Sequence, residues 1–300
     1  NEVRKKKILI VIPSLDGSGP AKGSIALANL LSSKYQIKLV CLKKNKLDFL
    51  ESKNLSHSVE LHTIKKISYL SGLFEIFLFF IKEKRDVMIS FCLVPDLINL
   101  VFGKHLKILS FRTNHKSGYN DIYGKAGYPM SLFHNLLPIF SNYTVVMSKE
   151  HLKKLPQISK QKCKVIKNFL DPNISFGLLK NNQHSEAINI MIVSGLTKRK
   201  NIHKALRILD KSSYKINCIH IFGEGPEKKR LEKISVDIKT NVKFYGKVLD
   251  PWEKIPNNPF FIHLSSDEGF PRAMLEAMRI GMPIISSKFT GSSEYFSLSD

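Results

Sequence analysis

Carboxylates are scarce in this chain: 25 Asp and Glu stand against 47 Lys and Arg, a formal net charge of +22. An excess of that sign favours an anionic partner, whether a nucleotide, a nucleic acid or an acidic lipid surface. Part of it is compositional bias, since Lys, Ile and Asn are abundant throughout. A nucleic-acid binder would carry aromatics interleaved with a basic stripe, or a known module. The lysines here are scattered, so no nucleic acid is expected as a partner. Cysteine is also sparse. Cys41, Cys92, Cys163 and Cys218 lie far apart, with no C-x-x-C pair and no metal-ligand spacing with His, which excludes a disulfide framework or a zinc knuckle. Buried thiols in a reducing cytoplasm are expected instead. Long apolar runs are missing too. The longest, "LSGLFEIFLFFI" at 70–81, has 12 residues and contains Glu75, short of the roughly 18 needed to cross a bilayer. It reads as a buried helix rather than an interfacial anchor. The start, "NEVRKKKILIVIP", reads as a basic tail running into a strand, not as a signal peptide.

With 300 residues, 43% of them hydrophobic, the chain suits two domains of about 150 residues each. Short β-rich runs alternate with helical patterns, the mark of parallel α/β units. Strands are expected at Lys7–Ile12, Ile37–Leu42, Val59–His62, Val87–Ser90, Ile108–Phe111 and Tyr143–Met147. After a polar linker at 172–186 the series restarts at Ile188–Ser194, Asn217–Phe222, Val242–Tyr245, Phe260–Leu264 and Pro283–Ser286. The boundary divides the chain into domains 1–172 and 173–300.

Four stretches could carry chemistry. "PSLDGSGPAKGS" follows the first strand and opens a helix, so Gly17, Gly19 and Gly23 let backbone approach a bound group and the helix N-terminus favours a phosphate. Lys22 stands where a third glycine would complete G-x-G-x-x-G, and no acid follows some 20 residues on, so a dinucleotide reading is poor. "SGLTKRKN" places Lys198, Arg199 and Lys200 at the carboxyl end of a strand, where three cations suit a diphosphate. "IFGEGPEKKRL" is a strand, a turn with Gly223, Gly225 and Pro226, and a helix. "SSDEGFPRAMLEAM" carries Glu268 before a helix opened by Pro271, and Glu276 two turns inside it. Ionised carboxylates accept hydrogen bonds and so suit sugar hydroxyls. N–H groups near Gly269 and Phe270 suit the phosphates between. No D-x-D carboxylate pair is present to hold a divalent metal.

These motifs resemble the retaining glycosyltransferase family 4. "EGFPRAMLEAMRIGMPIISSKFTGSSEYF" is similar to that family's E-x(7)-E region, "IFGEGPEKKRL" to its G-x-G-P turn, and "VKFYGKV" to its strand before the base pocket. "GSGPAKGSIALANLL" more loosely resembles the glycine loop. "SNYTVVMSKEHLKKL" and "VIKNFLD" resemble the strand and hinge closing the N-terminal domain. The resemblance implies an α/β chain of GT-B fold, two Rossmann-like domains facing each other across a cleft, the first for acceptor and the second for nucleotide sugar. It makes Glu268 a contact of the donor sugar, Glu276 the holder of the ribose, and Gly269, Phe270 and Pro271 the loop over the diphosphate. Lys200 becomes the phosphate-holding cation and His115, in "SFRTNHKSG", the sugar-facing histidine. The family's G-R-L arginine is absent, leaving Lys198 or Arg199 to take its place. The family continues with further helices, so the chain would lack its C-terminal ones.

The activity implied is retaining transfer from a nucleotide diphosphate sugar, such as a UDP- or GDP-sugar, to a glycan or polyprenyl-phosphate-linked acceptor. No cofactor or metal is expected, the acceptor lying near the "RTNHKSGYNDIYGKAGY" loop. Lysines of the first half would hold the enzyme on an anionic membrane surface at the inner, cytoplasmic face. The alternatives are a catalytically weak nucleotide-sugar-binding protein and a GT-B epimerase, whose additional acids are not found.

Overall fold

The structure, a computed structural model, describes residues 4–44, 52–64, 69–102, 105–171 and 187–294. The linker expected at 172–186 lies outside the described residues. The chain divides into two compact units, Asn1–Ile174 and Ser175–Asp300.

In the first unit, β1 (Lys7–Ile12), β2 (Gln36–Cys41), β3 (Val59–Thr63), β4 (Val87–Phe91), β5 (Leu106–Phe111), β6 (Tyr143–Val146) and β7 (Cys163–Val165) form one sheet. Its order is β3-β2-β1-β4-β5-β6-β7, every pairing parallel. The helices are α1 (Gly19–Ser32), α2 (Tyr69–Lys82), α3 (Leu93–Val101), α4 (His115–Tyr123), α5 (Gly127–Leu136), α6 (Lys149–Lys154) and α7 (Gln157–Lys160). Alternation along β1 sorts its side chains onto two faces. Ile8, Ile10 and Ile12 pack with Ile25 and Ala28 of α1, whereas Leu9 and Val11 pack with Phe80 of α2 and Ile98 of α3. A strand buried on both faces must be apolar throughout, which is why "ILIVI" reads so clearly.

The second unit repeats the scheme with β8 (Ile188–Val193), β9 (Ile216–Phe222), β10 (Val242–Gly246), β11 (Pro259–His263) and β12 (Ile284–Ser286), in parallel order β10-β9-β8-β11-β12. Ile190 and Ile192 of β8 face α8 (Ile202–Asp210) and α9 (Lys228–Val236), while Met191 faces α10 (Arg272–Ile280) and Trp252. Pro271 stands at the N-cap of α10, and Gly281, left-handed at φ 82°, ends the helix.

All eleven expected strands are present, shifted by at most two residues at either end. Strand β7 was not expected. Three departures concern exposure or local structure. Helix α2 is not a buried helix: Leu73, Phe74, Phe77 and Ile81 are 49–62% exposed, while Phe80 is sealed against the sheet. The stretch expected as the "RTNHKSGYNDIYGKAGY" loop is helical over His115–Tyr123. Cys41, Cys163 and Cys218 are buried as expected, but Cys92 is exposed.

Two glycines fix how the second unit's loops approach one another. A Cβ on Gly225 would lie 2.4 Å from the Leu196 carbonyl oxygen, and one on Gly223 would lie 1.9 Å from that of Ser194. Gly223 is also at φ 141°, a region open to glycine. Gly19 has open space around its Cβ position. Gly223→Ala is therefore expected to lower stability by roughly 2–5 kcal/mol in urea unfolding, while Gly19→Ala stays within about 1 kcal/mol of the parent.

Candidate functional site

In an open parallel sheet, ligands bind beyond the carboxyl ends of strands where the order reverses. In the second unit that point lies between β8 and β11. After β8 the chain forms a single 3-10 turn, Lys198–Lys200, and Asn201 follows in left-handed conformation at φ 53°. The loop after β11 is stitched to this turn. Ser266 N–H donates to the Arg199 carbonyl (3.1 Å), Asn201 Nδ2 to the Leu264 carbonyl (3.0 Å) and Arg199 Nη1 to the Asp267 carbonyl (2.5 Å).

The stitching delivers Glu268 to two of the three cations. Lys200 Nζ donates to Glu268 Oε1, and Arg199 Nη1 lies 3.2 Å from the same oxygen. Glu268 is 8% exposed. Burial opposes its ionisation, but Lys200, then Arg199 and His263, outweigh burial and hold the carboxyl down at about 2. Lys198 is exposed. Gly269 and Pro271 are buried and Phe270 half-buried on the same loop. They lead into α10, whose N-cap residue, Pro271, offers no side-chain cap. Gly223 closes β9 on the other side of β8.

Glu276 is 5% exposed and held differently. Its Oε2 accepts from the Trp252 indole N–H (2.9 Å), and Arg272 Nε, one turn back, lies 3.3 Å from Oε1. The structure thus brings Arg199, Lys200 and Glu268 into contact and gives Glu276 a separate set of partners. Among the described residues, no three His, Cys, Asp or Glu side chains group to hold a metal ion.

Gly17, Gly19 and His115 belong to the first unit. Gly17 sits at φ 71° in the loop after β1, and Gly19 opens α1. His115 opens α4 just beyond β5, capped by the Asn114 side chain. Its ring stacks on His134 at 3.7 Å, and the Asn135 Oδ1 lies 2.8 Å from Nδ1. Burial, followed by the neighbouring His134, pushes the His115 imidazole well below its ordinary range. His134 Nε2 bonds Asp96 Oδ2 at 2.7 Å, Ser90 Oγ donates to Asp96 Oδ1 at 2.5 Å, and the Tyr119 hydroxyl bonds His134 Nδ1 at 2.8 Å.

Sequence reasoning missed Asp96 and His134, and in the second unit His263 and Arg272. Arg272 alone left a signal, four residues before Glu276 on an amphipathic helix. A lone histidine inside an apolar strand or helix gives none.

Residues 179–299 match the family model described as glycosyl transferases group 1. The O-antigen biosynthesis glycosyltransferase WclY of Escherichia coli is 27% identical over 307 aligned positions, 97% of this chain and 82% of that protein. The lipopolysaccharide 1,6-galactosyltransferase of Salmonella typhimurium is 37% identical over 75 residues, 23% of this chain and 21% of that one. Among solved structures, Anabaena HepE in complex with UDP-glucose superposes with a TM-score of 0.76 at 17% identity, covering 97% of this chain and 83% of that one. The fold is GT-B, and the family match over the second unit supports a glycosyltransferase.

Proposed function

We propose that this protein is a retaining glycosyltransferase of cell-surface polysaccharide assembly, with a nucleotide diphosphate sugar as donor and a glycan or polyprenyl-phosphate-linked sugar as acceptor. The observation that carries the reading is the Lys198–Lys200 turn at the strand-order reversal, stitched to the loop that leads into α10. Lys200 and Arg199 supply charge-assisted donors and the first turn of α10 supplies backbone N–H groups, a set suited to a diphosphate. Glu268 then meets sugar hydroxyls and Glu276 the ribose. As the acceptor oxygen bonds to the anomeric carbon, the bond from that carbon to the diphosphate breaks. Its electron pair leaves on the diphosphate, whose departing oxygen takes up the acceptor's hydroxyl proton, and the cations stabilise the growing charge without a metal. The surface-polysaccharide part draws support from WclY, named for O-antigen biosynthesis. UDP is the favoured nucleotide because HepE was solved with UDP-glucose, and a GDP-sugar is the alternative.

Attachment to the inner face of the membrane belongs to the same proposal. No helix of the described residues is long and apolar enough to cross a bilayer. Helices α2 and α3 nevertheless cover one face of the first sheet and turn Leu73, Phe74, Phe77, Ile81, Val94 and Val101 outward. An exposed apolar layer on a chain of charge +22 suits an anionic lipid surface.

Calorimetry with UDP-, GDP- and their sugar conjugates tests the donor. One nucleotide class is expected to bind, with Lys200→Ala weakening it by about 10- to 100-fold. Glu276→Gln, which keeps an acceptor for Trp252, is expected to weaken it by about tenfold. Loss of neither would sink the donor reading, and binding without turnover would favour the weak binding-protein alternative. Product anomers read by NMR should match the donor's, and turnover should survive EDTA. In co-sedimentation, vesicles containing phosphatidylglycerol should retain the protein and pure phosphatidylcholine should not. The double variant Phe74→Ser, Phe77→Ser should abolish retention, and equal sedimentation with both vesicle types would refute the attachment.

A further inference from the structure

His263 ends β11 and is 5% exposed. Its ring lies parallel to Phe261, with centroids 6.4 Å apart, and meets Phe289 edge-on at 5.6 Å. Between these apolar walls its Nε2 is buried without a hydrogen-bond partner among the described residues. The Glu268 Oε1 lies 3.7 Å away, just outside hydrogen-bonding reach. A buried ring nitrogen held beside a carboxylate, yet not bonded to it, calls for an explanation.

Competition for Glu268 supplies one. As the structure stands, Oε1 is occupied by Lys200 and Arg199. On the reading above, a bound diphosphate draws both cations to itself. Glu268 would then be a buried anion stripped of its partners, a state proteins avoid strongly. We propose that His263 is a positioning residue, the reserve partner of Glu268. As Lys200 and Arg199 turn to the diphosphate, the carboxylate closes about 1 Å onto an Nε2–H of His263, which keeps it ionised and aligned for sugar hydroxyls.

The charged groups facing His263 are Glu268 on the following loop and Lys200 and Arg199 on the turn after β8. Phe261 and Phe289 add no charge. Burial, the largest influence, pushes the imidazole down to about 4; Glu268 pulls it upward, while Lys200 and Arg199 push it further down. Withdrawing either cation must therefore move His263 upward.

NMR of the full chain with labelled histidine reads this directly, the His263 signal being identified by its absence in His263→Gln. The His263 titration midpoint is expected to rise by about one to two pH units in ligand-free Lys200→Gln. It should rise in the same direction when UDP binds the wild type, and no rise should appear in the Lys200→Gln, Glu268→Gln double variant. A midpoint unchanged in Lys200→Gln overturns the proposal whatever UDP does. If Lys200→Gln does not fold, Arg199→Gln gives the same readout. A rise in the lysine variant, with no UDP binding by calorimetry, upholds the pairing and refutes the diphosphate reading instead. His263→Gln, which keeps an N–H donor, should retain UDP-sugar turnover better than His263→Phe by about tenfold or more; equal losses in the two would count against the hydrogen bond.

Discussion

Glu268 is a buried carboxylate whose two cations come from a different strand-to-helix connection, and that pairing exists only because strand order reverses between β8 and β11. Chain direction then sends the loops after both strands out of the same edge of the sheet, side by side. Backbone and side-chain bonds from Arg199, Asn201 and Ser266 fasten one loop to the other. Close approach at Gly223 and Gly225 brings in the connection after β9. Among the described residues of the second unit, no other ion pairing sets two cations on one buried carboxylate. The unit's cores are aliphatic and aromatic; of its other ion pairs, Arg272–Glu276 is buried with a single cation, whereas Lys228–Glu224 is a half-exposed surface pair that contributes little.

The first unit meets the same demand by different means. Buried Asp96 cannot rely on a lysine or arginine, so it is satisfied by the Ser90 hydroxyl and the His134 ring. Burial is the largest influence on its carboxyl and leaves it above the ordinary range despite those two bonds. The chain continues through Tyr119, so β4, α3, α5 and α4 are tied together by one file of hydrogen bonds. Gly127 lets α5 press against Tyr119, where a Cβ would lie 2.5 Å from its backbone. This file gives α4 a fixed place on the sheet, and His115 with it.

That dependence explains what was legible in the sequence. The strands were, because a parallel strand covered on both faces has to be apolar along its length, and "ILIVI" or "INIMIV" admits little else. Strand β7 is three residues set among lysines, "KCKV", and only its pairing to β6 makes it a strand. Helix α4 is polar and carries Gly118, so its propensity pointed to a loop; its packing against α5 overrides that. For α2 the failure was one of inference. An apolar run interrupted by a single acid reads as buried, but the sheet offers α2 only one face to cover. At the site, "EGFPRAMLEAM" displayed both glutamates. Which cations faced Glu268, and that His263 lay beside it, depended on residues 68, 69 and five positions away, distances that only the fold converts into contact.

The two glutamates of that stretch are both buried and ionisable, yet their partners give them different freedom. Glu276 is held within its own helix by Arg272 and from the side by the Trp252 indole. Neither partner lies on the basic turn, so an anion arriving there leaves this pairing alone, and Glu276 offers a fixed acceptor. Glu268 depends on Lys200 and Arg199, the groups a phosphate would compete for. A carboxylate whose partners can be taken by a ligand is coupled to that ligand by charge alone, without any movement of the backbone. The fixed glutamate can then define where one end of a bound molecule lies, while the other responds to whether its charged centre has arrived.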